Sequence, residues 1–179
     1  RPVQTPCAWI KVEVTDSLQR RFVKSNELCM LLQREGLSPV GKRMDAVSCQ
    51  AIEDCLLGHD MVRTAECYKS ANGGVCVRVT QRVPALFVRS NDGNYYVDED
   101  RKIMPVRATI EVDVPVFRGA VGKRAATEEY YDFAQWLVAN RYWKSRIKHV
   151  HVHSTKHLVL AQHEVKGDII LGELEGYEK

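Results

Sequence analysis

The chain predicts an α+β fold in two parts: an N-terminal unit of order β-α-α-β-β, then a mixed β-domain with one long helix. Three observations carry that expectation. Residues Ala65 to Met104 read as two β-hairpins in tandem, two short amphipathic segments precede them, and a longer one follows. The first hairpin pairs Thr64 to Ser70 with Val75 to Arg82 across Asn72-Gly73-Gly74, where positive φ costs little. The second turns at Asp92-Gly93. Pro84 has no N–H to give to the middle of a ladder, so the sheet is expected to end near Gln81-Arg82-Val83-Pro84, dividing the chain into residues 1–83 and 84–179.

Taken in order, Ala8 to Thr15 alternates and is rich in β-branched residues, as a half-exposed strand does. Ser25 is placed to cap a helix carrying Leu28, Leu31 and Leu32 at helical spacing, with Gly36 after its end. Ser38 to Gly41 connects it to a second helix, Ser48 to Leu57. There Ser48 is the N-cap, Ala51, Ile52, Cys55 and Leu56 form the apolar stripe, and Gly58 is the stop. Strands at Met61 to Ser70 and Val75 to Val83 complete the first unit.

The second unit begins as a meander of Ala85 to Ser90, Asn94 to Asp98 and Lys102 to Val106. Ile110 to Val116 alternates as another strand. Thr127, followed by Glu128 and Glu129, opens the longest helix, which runs to about Ala139 with Tyr130, Phe133, Ala134 and Leu137 along one stripe. Asn140 closes it and Tyr142-Trp143 packs at its exit. A hairpin from Ile147 to Val165 and a last strand from Asp168 to Leu174 follow.

With 45% hydrophobic and 27% charged residues over 179 positions, this is the composition of a folded chain of one or two domains, not of a disordered tail. No stretch reaches the ~18–20 apolar residues of a membrane helix, and the first residue is Arg1, so the sequence reads as a piece whose anchor lies outside it. The formal charge of +3 is small; Arg141, Lys144, Arg146 and Lys148 read as a solvated helix end, and no nucleic-acid partner is expected.

Six cysteines stand at positions 7, 29, 49, 55, 67 and 76, with no CxxC pair to favour zinc or dithiol chemistry. Cys67 and Cys76 flank the first turn, and register decides whether they meet. A four-residue loop, Ser70 to Gly73, sets them directly opposite; a two-residue Asn72-Gly73 loop sets Cys67 opposite Arg78. Cys49 and Cys55 read as small buried hydrophobes.

His149, His151 and His153 alternate on one strand face, with His157 and His163 in the return, and such imidazoles are weak candidates for zinc or nickel. Strand neighbours two apart are ~6.5–7 Å from each other, wide for a compact tridentate site, so Val150 and Val152 inward with histidines outward is the simpler reading. No motif for nucleophilic catalysis is present. Asp98, Glu99 and Asp100 sit in a turn, where carboxylates bond local N–H groups. Gly73-Gly74 lacks the following helix and Lys of a phosphate loop.

Several pieces together resemble the extracytoplasmic part of the bacterial cell-division protein family FtsQ, also called DivIB. They are Ile52 to Cys67, the V-x-V-x-Q-R-V-P joint at Val77 to Pro84, Tyr95-Tyr96-Val97-Asp98 with Ile103-Met104-Pro105, and Ile169-Ile170-Leu171-Gly172-Glu173. The resemblance covers most of the chain through their order and spacing. It implies a POTRA domain followed by the family's β-domain, tethered by an N-terminal transmembrane helix in the inner membrane at the septum. It also implies non-enzymatic work without a cofactor: linking early and late division proteins, binding FtsB and FtsL, and so regulating septal peptidoglycan synthesis by FtsW and FtsI.

The oxidising compartment keeps Cys67 with Cys76 as a disulfide candidate. Arg101 stands where the family usually has glycine in Asp-x-x-Gly, which suggests a looser loop. The family continues beyond a point equivalent to Lys179, so the β-domain is expected to be C-terminally truncated.

Two regions are carried over as partner-binding. One is the edge formed by Thr64, Ala65, Glu66, Cys67, Tyr68, Lys69 and Ser70; the other is the strand Asp168 to Leu174, with Ile169, Ile170 and Leu171. Two alternatives stand beside this reading: a POTRA protein of an outer-membrane assembly or secretion system, and a metal-dependent hydrolase using the His149 to His163 cluster.

Overall fold

A computed structural model describes residues 5–163 and 167–175. The fold is α+β, in two compact units, Arg1–Arg82 and Val83–Lys179. The first contains β1 (Trp9–Val14), α1 (Ser25–Arg34), a single 3-10 turn (Met44–Ala46), α2 (Cys49–Leu57), β2 (Val62–Lys69) and β3 (Gly74–Gln81). This is the β-α-α-β-β order read from the pattern. Its sheet runs β1-β3-β2, with β1 parallel and β2 antiparallel to the central β3.

Helical spacing puts Leu28 and Leu32 on one face of α1 and Ile52 and Leu56 on one face of α2. All four are at most 1% exposed, beside Val75, Val77 and Val79 of β3. Burying each such side chain contributes about 1.5–3 kcal/mol. Ser48 caps α2, its hydroxyl accepting from Ala51 N at 3.1 Å. At α1 the expected cap is displaced by one residue: Lys24 takes the N-cap position without a side-chain bond, and Ser25 is already helical.

The β2–β3 turn corrects the cysteine expectation. Ser70 N–H donates to Gly74 O at 2.8 Å and Gly73 takes φ +86°, so the loop is three residues long, between the two lengths considered. Cys67 then faces Val77, and Tyr68 faces Cys76. Successive strand residues point to opposite faces, so Cys67 is buried on one side, Cys76 lies on the other, and both are free thiols.

The second unit holds β4 (Pro84–Ser90), β5 (Gly93–Asp98), β6 (Ile103–Met104), β7 (Val116–Gly119), α3 (Lys123–Thr127), α4 (Glu129–Ala139), α5 (Arg141–Lys144), β8 (Ile147–Val152), β9 (Leu158–Gln162) and β10 (Asp168–Gly172). Its seven strands are ordered β10-β9-β8-β7-β4-β5-β6, with β7 parallel to both β4 and β8. Pro84 opens β4, a position where a missing N–H is tolerated. Tyr130, Phe133, Ala134 and Leu137 of α4 are buried with Leu86, Val88, Phe117, Val150 and Leu160 in one core. Phe117 meets Tyr130 at 5.5 Å and Phe133 edge-on at 6.3 Å between ring centroids.

Three expectations are revised here. Residues 110–115 form no strand; pairing starts at Val116, because Pro115 can only accept, as it does from Phe87 N at 2.9 Å. Thr127 ends α3 instead of opening α4, and the break falls at Glu128 with φ −115° and ψ −92°. The Asp98–Arg101 turn is tight despite lacking glycine. Arg101 takes φ +63° and donates to Asp98 O at 2.9 Å, while Asp98 Oδ1 accepts from Asp100 N and Lys102 N at 2.9 and 2.8 Å. Of the expected hairpin from Ile147 to Val165, residues 164 and 165 lie outside the described residues.

Candidate partner-binding edges

Strand β2 borders its sheet, paired with β3 alone among the described residues. Antiparallel backbone bonds alternate. With Ser70 bonded to Gly74, the polar backbone groups of Thr64, Glu66 and Tyr68 turn toward β3, and those of Ala65, Cys67 and Lys69 turn to the open side.

That side is partly occupied. Glu53, on α2, reaches Cys67 N–H with Oε1 at 2.9 Å, and the Lys69 ammonium folds back to Met44 O at 2.6 Å. Glu66 and Tyr68 stay exposed on the surface, and the Thr64 hydroxyl pairs with that of Thr80 across the strands. Burial, then Cys49 and the Glu53 carboxylate, push the Cys67 thiol pKa up, so it remains protonated and poorly nucleophilic. The pattern of the strand gives no sign of Glu53, whose part depends on how α2 lies over β2.

Strand β10 borders the second sheet and pairs with β9 through Asp168, Ile169 and Ile170, before the register shifts between Ile170 and Gly172. Ile169 and Leu171 pack against the core, whereas Ile170 points away and is 79% exposed. The three predicted residues are thus divided, two holding the strand in place and one presented to solvent.

The histidines follow the alternation of β8. Val150 and Val152 are buried, His149 and His151 are half-buried, and His153 is exposed with its ring 4.7 Å from that of His151. Among the described residues no three His, Cys, Asp or Glu side chains converge as metal ligands. No described helix is long and apolar enough to cross a membrane.

Comparison with protein families matches residues 5–80 to the POTRA-like domain. Residues 83–179, more than half the chain, match the family described as FtsQ/DivIB, C-terminal related. The chain belongs to the FtsQ/DivIB family. It therefore has the POTRA-like and β-rich pair of domains of an FtsQ/DivIB division protein, and its family role is that of a cell-division scaffold. Comparison with curated proteins returned no match.

Proposed function

We propose that this FtsQ/DivIB protein is a non-enzymatic scaffold, lying outside the cytoplasm at the division septum and holding partners through its two strand edges. The observation that carries the reading is β10: among the described residues it has a neighbour on one side only, and it presents Ile170 beside that open ladder. A partner strand added there gains backbone hydrogen bonds from the edge and an apolar contact from Ile170. In this reading residues 84–179 bind FtsB, and FtsL with it, and residues 1–83 serve recruitment through Thr64 to Ser70. FtsW and FtsI are affected indirectly, which is how septal peptidoglycan synthesis comes under control. A single transmembrane segment outside these residues supplies the inner-membrane anchor.

Calorimetric titration with a soluble FtsB–FtsL coiled coil tests it. Saturable binding that Ile170→Lys weakens at least tenfold, with Tyr68→Lys unchanged, supports the assignment of β10. Binding that Ile170→Lys leaves intact moves the contact elsewhere. No binding at all sinks the FtsB assignment.

A further inference from the structure

The face of the seven-stranded sheet opposite α4 carries a line of basic side chains. Register sets Arg89 of β4 beside Arg118 of β7, and Arg118 beside His151 of β8. Adjacent strands lie ~4.8 Å apart, so the two arginines and the histidine spring from neighbouring positions across the middle of the sheet. Like charges in directly opposed positions are destabilising. A sheet carries such a row at a cost unless an anion offsets it.

Among the described residues no acidic side chain pairs with the two arginines of this row, and Arg118 Nε is enclosed with nothing to receive its hydrogen bond. His149 Nδ1, on the same face, is also unpartnered. Burial first, and then Arg118 and Lys148, hold the His149 imidazole pKa below its ordinary value, with Asp168 acting the other way. The acid nearest in register is Asp168, which lies across Ala161 from His149 on the bordering strand β10.

Beside the basic row runs an apolar one. Phe87 pairs with Tyr96 on one side, ring centroids 4.8 Å apart, and with Val116 on the other. A guanidinium fork matches a carboxylate in two parallel hydrogen bonds. The strip of Phe87 and Tyr96 suits a neighbouring apolar side chain, which a free ion does not have.

We propose that this face docks an acidic peptide segment of a partner protein, its carboxylates seated on Arg118 and Arg89 and an apolar residue lying on Phe87 and Tyr96. The site is a sheet face and not an edge, so it goes beyond the strand-addition reading and does not depend on it.

The test is the anisotropy of a fluorescein-labelled hexaglutamate peptide titrated with the whole chain at low ionic strength. Arg118→Gln weakens binding by about fivefold or more, and Arg89→Gln with Arg118→Gln abolishes saturation. Arg141→Gln, which removes the same charge from exposed α5, stays within about twofold of the wild type, as a distant charge screened by salt should. Unlabelled hexaglutamate competes, and sodium phosphate at matched ionic strength does not. Arg89→Gln alone, at the exposed end of the row, gives the same direction of change should Arg118→Gln fold poorly. Equal weakening by Arg141→Gln, absence of saturable binding, or phosphate competing as well as the peptide would each overturn the proposal.

Discussion

Gln81 is the one uncharged polar side chain buried among the described residues of the first unit, 1% exposed, and its replacement should undo the segment between β1 and α1. Its Oε1 accepts from Phe22 N at 2.7 Å and Val23 N at 3.0 Å, and its Nε2 donates to Arg20 O at 2.7 Å and Asp16 Oδ1 at 3.2 Å. Phe22 and Val23 are each 4% exposed, so water does not readily replace the lost acceptor. Leaving a buried polar group without its partner costs about 1–3 kcal/mol. Gln81→Met removes the acceptor that both N–H groups use and the donor to Arg20 O, for a total of about 2–5 kcal/mol. At roughly 0.05–0.15 kcal/mol per residue, the whole stability of a unit this size is about 4–12 kcal/mol, so the loss is a large share of it.

Hydrogen exchange read by mass spectrometry, peptide by peptide, separates the two units and reports the change within residues 1–82. Gln81→Glu sharpens the test. It keeps one accepting oxygen, but aims the second at Arg20 O and the Asp16 carboxylate, where the amide had donated. That carboxyl should have a pKa raised by the fold. The folded state then holds the proton more tightly than the unfolded chain, and the lost stability returns as pH falls. A change below about 0.5 kcal/mol in Gln81→Met, the range of an unremarkable surface substitution, would refute the reasoning.

Gly74→Ala sets a Cβ 2.1 Å from the Trp9 ring, so the indole must leave its seat; a loss of about 1–3 kcal/mol, with a red shift of Trp emission, is expected. Glu53→Ala takes the acceptor from Cys67 N–H and should cost about 1–2 kcal/mol, with faster amide exchange at Cys67 by NMR. The His149 pKa is depressed in the fold, so the unfolded chain binds the proton first; stability should fall as pH drops below about 6.5, and His149→Phe should flatten that slope in pH-dependent thermal melts. Non-reducing peptide mapping should find no Cys67–Cys76 link, and native Cys67 should alkylate far more slowly than in urea.

The elements that sequence reasoning placed well are those with a local cause. Alternation marks β1, the Asp92-Gly93 turn marks the hairpin of β4 and β5, and the stripes of Leu28 with Leu32 and of Ile52 with Leu56 mark two helices whose packing faces are the ones buried. What it missed depends on partners distant in sequence. The alternation of residues 110–116 is real, yet a strand needs ladder donors beside it, and Pro115 has none to give. Arg101 stays in a left-handed turn because the Asp98 carboxylate gathers the surrounding N–H groups, and because its guanidinium lies 4.3 Å from the Tyr131 ring centre and 2.5 Å from Asp132. Asn72-Gly73-Gly74 can close loops of several lengths, so only the tertiary register could decide which residue Cys67 faces. The same holds at the edges: β2 and β10 are visible as strands, but Glu53 and the divided roles of Ile169 and Ile170 are not.

The two edges are guarded in different ways, and this affects how each could be used. At β2, a partner strand must first displace Glu53 from Cys67 N–H, a charge-assisted bond worth about 1.5–3 kcal/mol. That cost filters weak or accidental pairing, the hazard of any exposed edge. At β10 no such guard is seen among the described residues, but the register shift and the φ of +76° at Gly172 leave Asp168 to Ile170 as the regular stretch of ladder. So short a ladder offers few backbone bonds, each worth a net ~0.5–1.5 kcal/mol. A tight partner at β10 must therefore draw most of its affinity from side-chain packing around Ile170, and one at β2 from a longer ladder that opens only when Glu53 lets go.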